Sequence, residues 1–165
     1  MMYFNPMTTP MITNLKRLRS SKSSHVDPSR YRQLIGSLMY LVNTRPNICF
    51  VVNVLNQFLV DSRHDHWIAT KHIIIYLQGT MHYCLKYDRK NVVHLIGYTY
   101  SNCGGSEHDG RSNTGGCLSL GSFVFSWISR NQETIDLSSV EVEYIAACEV
   151  SKEVVWLRKL LSGLF

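Results

Sequence analysis

The stretch Cys117-Leu118-Ser119-Leu120-Gly121-Ser122-Phe123-Val124-Phe125-Ser126-Trp127-Ile128 decides the architecture. Two short runs rich in β-branched and aromatic residues flank Gly121-Ser122, and a glycine-first pair suits a two-residue type II′ hairpin. Alternation along the second arm puts Phe123, Phe125 and Trp127 on one face and Val124, Ser126 and Ile128 on the other. Upstream, residues 82–87 and 92–100 have the same strand-like composition and are separated by Asp88-Arg89-Lys90. A glycine-rich polar stretch runs from Asn102 to Asn113. Downstream, Ser138-Ser139 opens a helix carrying Val142, Ile145, Ala146, Val154, Leu157, Leu160 and Leu161. About three antiparallel strands followed by one long helix place this part in the α/β (α+β) class.

The residues before it are helical in pattern. Asp27-Pro28 is a helix start, with a capping side chain and proline at the first helical position. Tyr31, Leu34, Ile35, Leu38, Met39 and Val42 follow at helical spacing. Thr44-Arg45-Pro46 restarts the pattern, and Ile48, Val51, Val52, Leu55, Phe58 and Leu59 form a second stripe. Asp61 to His66 interrupts it, and Trp67, Thr70, Ile74 and Leu77 continue on a third helix that stops at Gly79. These apolar positions read as core. His64 and His66, two apart and so on different helix faces, read as surface or packing residues. The expected organisation is a basic flexible tail over residues 1–26, a helical segment over 27–80 and a strand-and-helix domain over 81–165.

Charge divides along the same line. Of 17 Lys+Arg and 12 Asp+Glu in 165 residues, residues 1–90 hold 12 and 4, and residues 91–165 hold 5 and 8. A basic half is compatible with a polyanionic partner. Arg30, Arg32, Arg45, Arg63 and Lys71, interleaved among the helices, are the candidate phosphate contacts. No basic n-region with an apolar run opens the chain, and no uncharged stretch is long enough to span a bilayer. The five cysteines lack tight spacing and read as reduced thiols, which implies an intracellular protein, in cytoplasm or nucleus. A zinc site built from Cys103 or Cys117 with His94 and His108 would need C-x-x-C or H-x-x-x-H spacing, and neither occurs.

Several motifs now line up in order. Tyr31-Arg32-Gln33-Leu34-Ile35-Gly36-Ser37-Leu38-Met39-Tyr40-Leu41 resembles the segment after the polymerase palm in copia-type retrotransposon polyproteins. So do Thr44-Arg45-Pro46, His66-Trp67, Lys71-His72 and Tyr76-Leu77-Gln78-Gly79-Thr80. Leu95-Ile96-Gly97-Tyr98-Thr99 resembles the first strand of the RNase H domain in the same polyproteins. Ser126-Trp127 with Ser129, then Leu137-Ser138-Ser139-Val140-Glu141-Val142-Glu143-Tyr144-Ile145-Ala146-Ala147, resembles its third strand and first helix. Val155-Trp156-Leu157-Arg158-Lys159-Leu160-Leu161 resembles the continuation of that helix. The likeness runs from about residue 9 to the C-terminus and implies a partial RNase H-like fold.

It also implies a chemistry. In that family RNase H cuts the RNA strand of an RNA–DNA hybrid by a two-metal, in-line displacement. Two Mg²⁺ ions require several carboxylates. The family supplies an Asp at the end of the first strand, a Glu on the first helix and further Asp residues later. Here the Asp position after Gly-Tyr-Thr is Tyr100, and the second, two residues on, is Asn102; the next two positions are Cys103 and Gly104. A phenol with a pKa of about 10 stays neutral at pH 7 and is a poor Mg²⁺ ligand. Glu141 matches the helix carboxylate, and Ser138-Ser139-Val140-Glu141 is also a capping box. Asp109 aligns with a family Asp, while Glu143 faces another side of the helix. The later carboxylates would lie beyond Phe165 and the polymerase aspartates before Met1.

The expectation is therefore a truncated, decayed polyprotein segment, catalytically inactive, with no cofactor in this chain where the intact domain uses Mg²⁺. The alternative is a non-catalytic module that binds an RNA–DNA hybrid or other nucleic acid weakly and without specificity, or binds a protein, through the basic helical half. A nuclease completed by another chain is a third reading. No membrane partner is expected, and no oligomeric state follows from the residues.

Overall fold

Helix α1 (Pro28–Val42) begins at the point that Asp27-Pro28 marks: the Asp27 carboxylate accepts from the Ser29 N–H at 2.9 Å, and Pro28 occupies the first turn. The computed structural model describes residues 5–11, 18, 20–87, 94–103, 111–133, 135 and 138–163. They fall in two units, Met1–Tyr83 and Cys84–Phe165, each with its own core.

In the first unit, α1 ends before Pro46, whose ring forces Arg45 into an extended backbone (φ −131°, ψ 80°). A short 3₁₀ turn, Pro46–Ile48, leads into α2 (Cys49–Asn56), and α3 spans His64–Gly79. Tyr31, Ile35 and Leu38 pack against Ile48, Val51, Val52 and Leu55, with Ala69, Ile73 and Tyr76 closing the core. Each large apolar side chain so buried contributes about 1.5–3 kcal/mol. The wholly buried Tyr31 donates its hydroxyl to the Leu55 carbonyl at 2.9 Å, tying α1 to the end of α2. Burial pushes the Tyr31 phenol up to about 12, with the Thr70 hydroxyl pulling the other way.

Helix α3 departs from the sequence pattern in two ways. It starts at His64 instead of Trp67, because its first turn is capped from elsewhere: the Asp65 N–H donates to the Ser23 hydroxyl at 3.2 Å and the Arg63 N–H to His66 Nδ1 at 3.1 Å. Its buried stripe is His66, Ala69, Thr70, Ile73 and Tyr76, rotated from the expected Trp67, Thr70, Ile74 and Leu77. The run Ile73-Ile74-Ile75 is apolar nearly all round, so hydropathy leaves the phase open and packing sets it. Within the segment expected as a tail, Val26 N–H donates to the Ser62 carbonyl at 3.0 Å and His64 N–H to the Ser24 carbonyl at 2.9 Å.

The second unit is a three-stranded antiparallel sheet, order β1-β2-β3, followed by one long helix. Its strands are β1 (Leu95–Asn102), β2 (Asn113–Leu120) and β3 (Phe123–Asn131), and the helix is α4 (Ser139–Ser162). Leu120 pairs with Phe123 across Gly121-Ser122, and among the described residues Gly121 alone carries a positive φ, 63°. A positive φ at the first loop position only is the type II′ arrangement.

Two expectations fail here. Residues 82–87 form no strand; aromatic and β-branched composition needs a ladder partner, and Tyr87 instead packs its ring on Phe123 at 5.1 Å. The alternation of β3 is broken by a bulge: Ser119 faces Val124 and Leu118 faces Ser126, leaving Phe125 extra. Strand β2 also starts earlier than residue 117, at Asn113, because Gly115-Gly116 carries no hydrophobic signal. Gly116 serves packing. A β-carbon there would lie 2.6 Å from Val150 Cγ2, and one at Gly97 3.2 Å from Val154 Cγ2, so these two glycines let α4 settle on the β1–β2 seam. Leu118, Val150 and Leu157 form the core beneath it, with Leu95, Phe125 and Val154 around them. Among the described residues, no helix is long and apolar enough to cross a membrane.

Candidate functional site

The residues singled out for metal chemistry sit where β1 ends and α4 begins. Gly97 faces α4, so alternation places Thr99 and Ser101 on that side and Tyr98 and Tyr100 on the other. Tyr100 lies opposite Gly115, whose β-carbon would touch the Tyr100 ring at 3.5 Å, and it is 69% exposed. Asn102 pairs with Asn113 at the strand end, and Asn113 Nδ2 donates to Asn131 Oδ1 at 3.1 Å. Three amides thus stand in a row across the sheet. Cys103 is exposed beside them.

Glu141 lies in the first turn of α4 with its side chain exposed. Its N–H donates to the Ser138 hydroxyl at 3.2 Å, the half of the capping box that starts the helix. A carboxylate there also complements the helix dipole. Glu143 is exposed as well, and Asp109, Gly104 and His108 lie outside the described residues. Tyr100 and Glu141 are not brought to a common face. Among the described residues, no group of three or more His, Cys, Asp or Glu is placed to hold a metal ion. The donor set of one carboxylate, one phenol on the far side of the sheet and one amide does not fit a pair of Mg²⁺ ions.

The five candidate cations behave differently from one another. Arg45 is half-buried and donates to the Thr80 carbonyl at 2.8 Å and the Met81 carbonyl at 3.5 Å, closing the end of α3. Arg63 donates to Asp61 Oδ2 at 3.1 Å and to the Ser23 carbonyl at 3.3 Å. Arg30 lies 3.6 Å from Asp27 Oδ2 at the exposed start of α1. Lys71 is exposed with its ammonium 5.3 Å from the centre of the Trp67 ring, and Arg32 is exposed on α1. Arg45 and Arg63 are thus structural first.

His66 is a packing residue. It is 2% exposed and stacks on Phe58 with ring centres 4.0 Å apart. Accepting at Nδ1 from Arg63 N–H leaves Nε2 protonated, and this donates to the Leu18 carbonyl at 2.7 Å. Burial lowers its pKa; the Leu18 bond and the Asp61 and Asp65 charges oppose that, while Arg63 adds to it. Burial also pushes the Cys49 and Cys117 thiols up, away from nucleophilic reactivity. One organising residue escaped the sequence reading. Buried Gln132 donates from Nε2 to the Thr114 hydroxyl at 3.0 Å and the Val142 carbonyl at 3.1 Å, joining the sheet to the start of α4. Nothing in its sequence surroundings marks it.

Comparison with known proteins fixes the family. Over 164 residues, 99% of its length, the chain is 35% identical to the retrovirus-related Pol polyprotein from transposon RE2 of Arabidopsis thaliana. It is 36% identical over 166 residues, 96% of its length, to the corresponding polyprotein from transposon TNT 1-94 of Nicotiana tabacum. The chain belongs to the copia-type retrotransposon Pol polyproteins. It spans about a ninth of the length of those relatives, 11% and 12%. It is also 40% identical over 128 residues to secreted RxLR effector protein 161 of Plasmopara viticola, which covers 77% of this chain and 90% of that protein. No protein-family model matches the chain, and no solved structure matches it at a significant level. As a Pol segment, the chain joins a helical unit to a strand-and-helix unit, in the order of the motifs from Tyr31 to Leu161.

Proposed function

We propose that this chain is a catalytically silent Pol segment: a helical unit from after the reverse transcriptase palm, joined to an RNase H-like scaffold that does not hydrolyse RNA in hybrids. The reading rests on Tyr100. It stands where the resemblance calls for the first metal-binding Asp, it is neutral at pH 7, and its ring points away from α4 and Glu141. Asn102 at the second position carries no charge. Glu141 alone cannot balance two divalent cations, and a carboxylate in the first turn of α4 also suits the positive end of the helix dipole.

The test is direct. The chain is incubated with an RNA–DNA hybrid and Mg²⁺ or Mn²⁺, beside Glu141→Gln and a Tyr100→Asp/Asn102→Asp double variant. No cleavage is expected from any of them, because an Asp at position 100 would still face away from Glu141. Metal-dependent cleavage by the natural chain that Glu141→Gln abolishes overturns the proposal. Cleavage by the double variant alone leaves inactivity standing and refutes the geometric reason given for it.

A second reading is favoured by one observation: Arg32 and Lys71 keep exposed charge in a basic half. In this reading the helical unit holds nucleic acid weakly. Two or three phosphate contacts give a shallow salt slope and no sequence preference. Hybrid binding at low salt that fades at moderate salt, and weakens in Arg32→Ala/Lys71→Ala, supports it. No binding at low salt removes it.

A further inference from the structure

We propose that His66 pins a pH-sensitive latch: a second proton on its ring undoes the start of α3 and frees the segment fastened there, Leu18 and residues 20–26. The inference does not depend on the catalytic reading or on nucleic-acid binding. The fastenings are dense. The Val26 N–H donates to the Ser62 carbonyl at 3.0 Å and the His64 N–H to the Ser24 carbonyl at 2.9 Å. Arg63 Nη1 donates to the Ser23 carbonyl at 3.3 Å, and the Asp65 N–H to the Ser23 hydroxyl at 3.2 Å. The Ser21 hydroxyl donates to Asp65 Oδ2 at 2.8 Å, and His66 Nε2 to the Leu18 carbonyl at 2.7 Å. These partners are consecutive residues, Ser62 to His66, so whatever disturbs that turn loosens the whole segment at once. Leu18 itself is buried in the helical core.

His66 has no room for a second proton. Its Nδ1 accepts from the Arg63 N–H at 3.1 Å. A backbone N–H has no acceptor form, so Nδ1 must keep its lone pair, and Nε2 carries the single ring proton. Protonating Nδ1 sets donor against donor across that distance. The ring is 2% exposed and stacked on Phe58, so water does not reach the cation where it stands. The surroundings are divided. Burial disfavours the cation, the Leu18 carbonyl and the Asp61 and Asp65 carboxylates favour it, and the Arg63 guanidinium opposes it. Asp61 is already engaged by Arg63 Nε at 3.1 Å and by His25 Nδ1 at 3.2 Å, and Asp65 by Ser21. The core that Leu18 and Phe58 join adds no ionised group at pH 7, since its titratable members are the phenols Tyr31 and Tyr76.

The ring therefore leaves its site on protonation, and both of its bonds go with it. The Arg63 N–H loses its cap, the first turn of α3 frays, and Ser62 to Asp65 no longer hold Ser23, Ser24 and Val26 in place. A histidine whose folded pKa lies below its unfolded value of about 6.5 favours the closed state above that pH. Opening grows as pH falls from about 6.5 toward the folded pKa, by up to about tenfold per pH unit, because one proton is taken up. From Ala69 onward the buried stripe of α3 keeps its contacts with α1 and α2, so the rest of the helical unit stays packed.

The test is amide hydrogen exchange on the full chain from about pH 8 to about pH 5, each rate divided by its intrinsic rate. The Val26, Arg63, His64 and Asp65 amides are expected to show protection at least about tenfold below that of the α1 core. Their protection is expected to fall further, by up to about tenfold per pH unit, below about pH 6.5. His66→Gln keeps a donor for the Leu18 carbonyl, His66→Asn keeps an acceptor for the Arg63 N–H, and neither side chain titrates. Both are expected to abolish the pH dependence. Should neither variant fold, an NMR titration of the His66 ring in the natural chain decides, because the loss of protection must level off at the midpoint of that titration. A pH-dependent loss at these amides, below α1 throughout and absent from the variants, supports the proposal. Protection equal to that of α1, no pH dependence in the natural chain, the same pH dependence in either variant, or a ring midpoint unrelated to the levelling overturns it.

Discussion

Replacing Gly116 by alanine probes how α4 is held on its sheet. The new methyl would sit 2.6 Å from Val150 Cγ2. Carbon atoms pack best at about 3.5–4.0 Å, so the shortfall is about 1 Å. The obstacle is a β-branched side chain on a helix, which has one favoured rotamer and cannot swing aside cheaply. Either α4 moves outward, loosening Leu118 and Leu157, or Val150 leaves its rotamer. Overpacking of this kind costs about 1–3 kcal/mol. Alanine recovers about 0.5–1 kcal/mol of chain entropy relative to glycine, so the net loss is about 1–2 kcal/mol. For a unit of this size that is a fall of roughly 5–10 °C in the melting temperature. Fluorescence in a Trp67→Phe background reports the second unit alone, through Trp127 and Trp156. Adding Val150→Ala to Gly116→Ala removes the obstructing methyls, and the double-mutant cycle is expected to show a favourable coupling of about 1 kcal/mol. Unchanged or raised stability in Gly116→Ala, or strict additivity with Val150→Ala, refutes the argument that Gly116 exists for helix approach.

Two further outcomes follow from the first unit. Arg45→Ala removes the donor to the Thr80 and Met81 carbonyls and is expected to cost about 1–2 kcal/mol in urea unfolding, with Arg45→Lys recovering only part because an ammonium lacks the fork; a loss below about 0.5 kcal/mol would contradict the role assigned to it. His66 has a lowered folded pKa, so below its unfolded value of about 6.5 the unfolded chain binds more protons, and stability present above that pH is lost as pH falls toward the folded value. Urea midpoints for the natural chain should fall between neutral and mildly acid pH and those of His66→Gln should fall less; equal slopes would remove His66 as the source.

The sequence was most informative where a residue has one physical reason to be in place. Asp27-Pro28 marks a helix start because a carboxylate accepts from free N–H groups and proline needs none. Gly121-Ser122 marks a hairpin because glycine alone takes the positive φ. Ser138 marks the start of α4 for the same reason as Asp27. It was least informative where several residues could do the same work. Trp67 to Leu77 is apolar on most sides, so only packing with α1 and α2 chose its face. Residues 82–87 look like a strand, but a strand needs a partner, which composition does not supply. The Phe125 bulge left no trace because the alternation on either side of it is regular. For the candidate site, the identities at positions 100, 102 and 141 were legible, since each is a single letter against a family pattern. That Tyr100 and Glu141 lie on different sides of the sheet was not, because the face of β1 is set by Gly97 and Gly116 meeting Val150.

The Gln132 clamp gives α4 a direction in which to come apart. Its first turn is fastened twice, by the Ser138 cap and by Gln132 reaching the Val142 carbonyl, while its last turns end at Gly163 with Trp156 and Leu160 turned to solvent. Fraying therefore runs from the C-terminal end backward, and amide protons near Ser162 exchange with solvent long before those near Ala146. The helix behaves as a hinged cover fixed at its N-terminal end, and the apolar seam around Leu118 is first wetted from the side of Leu157.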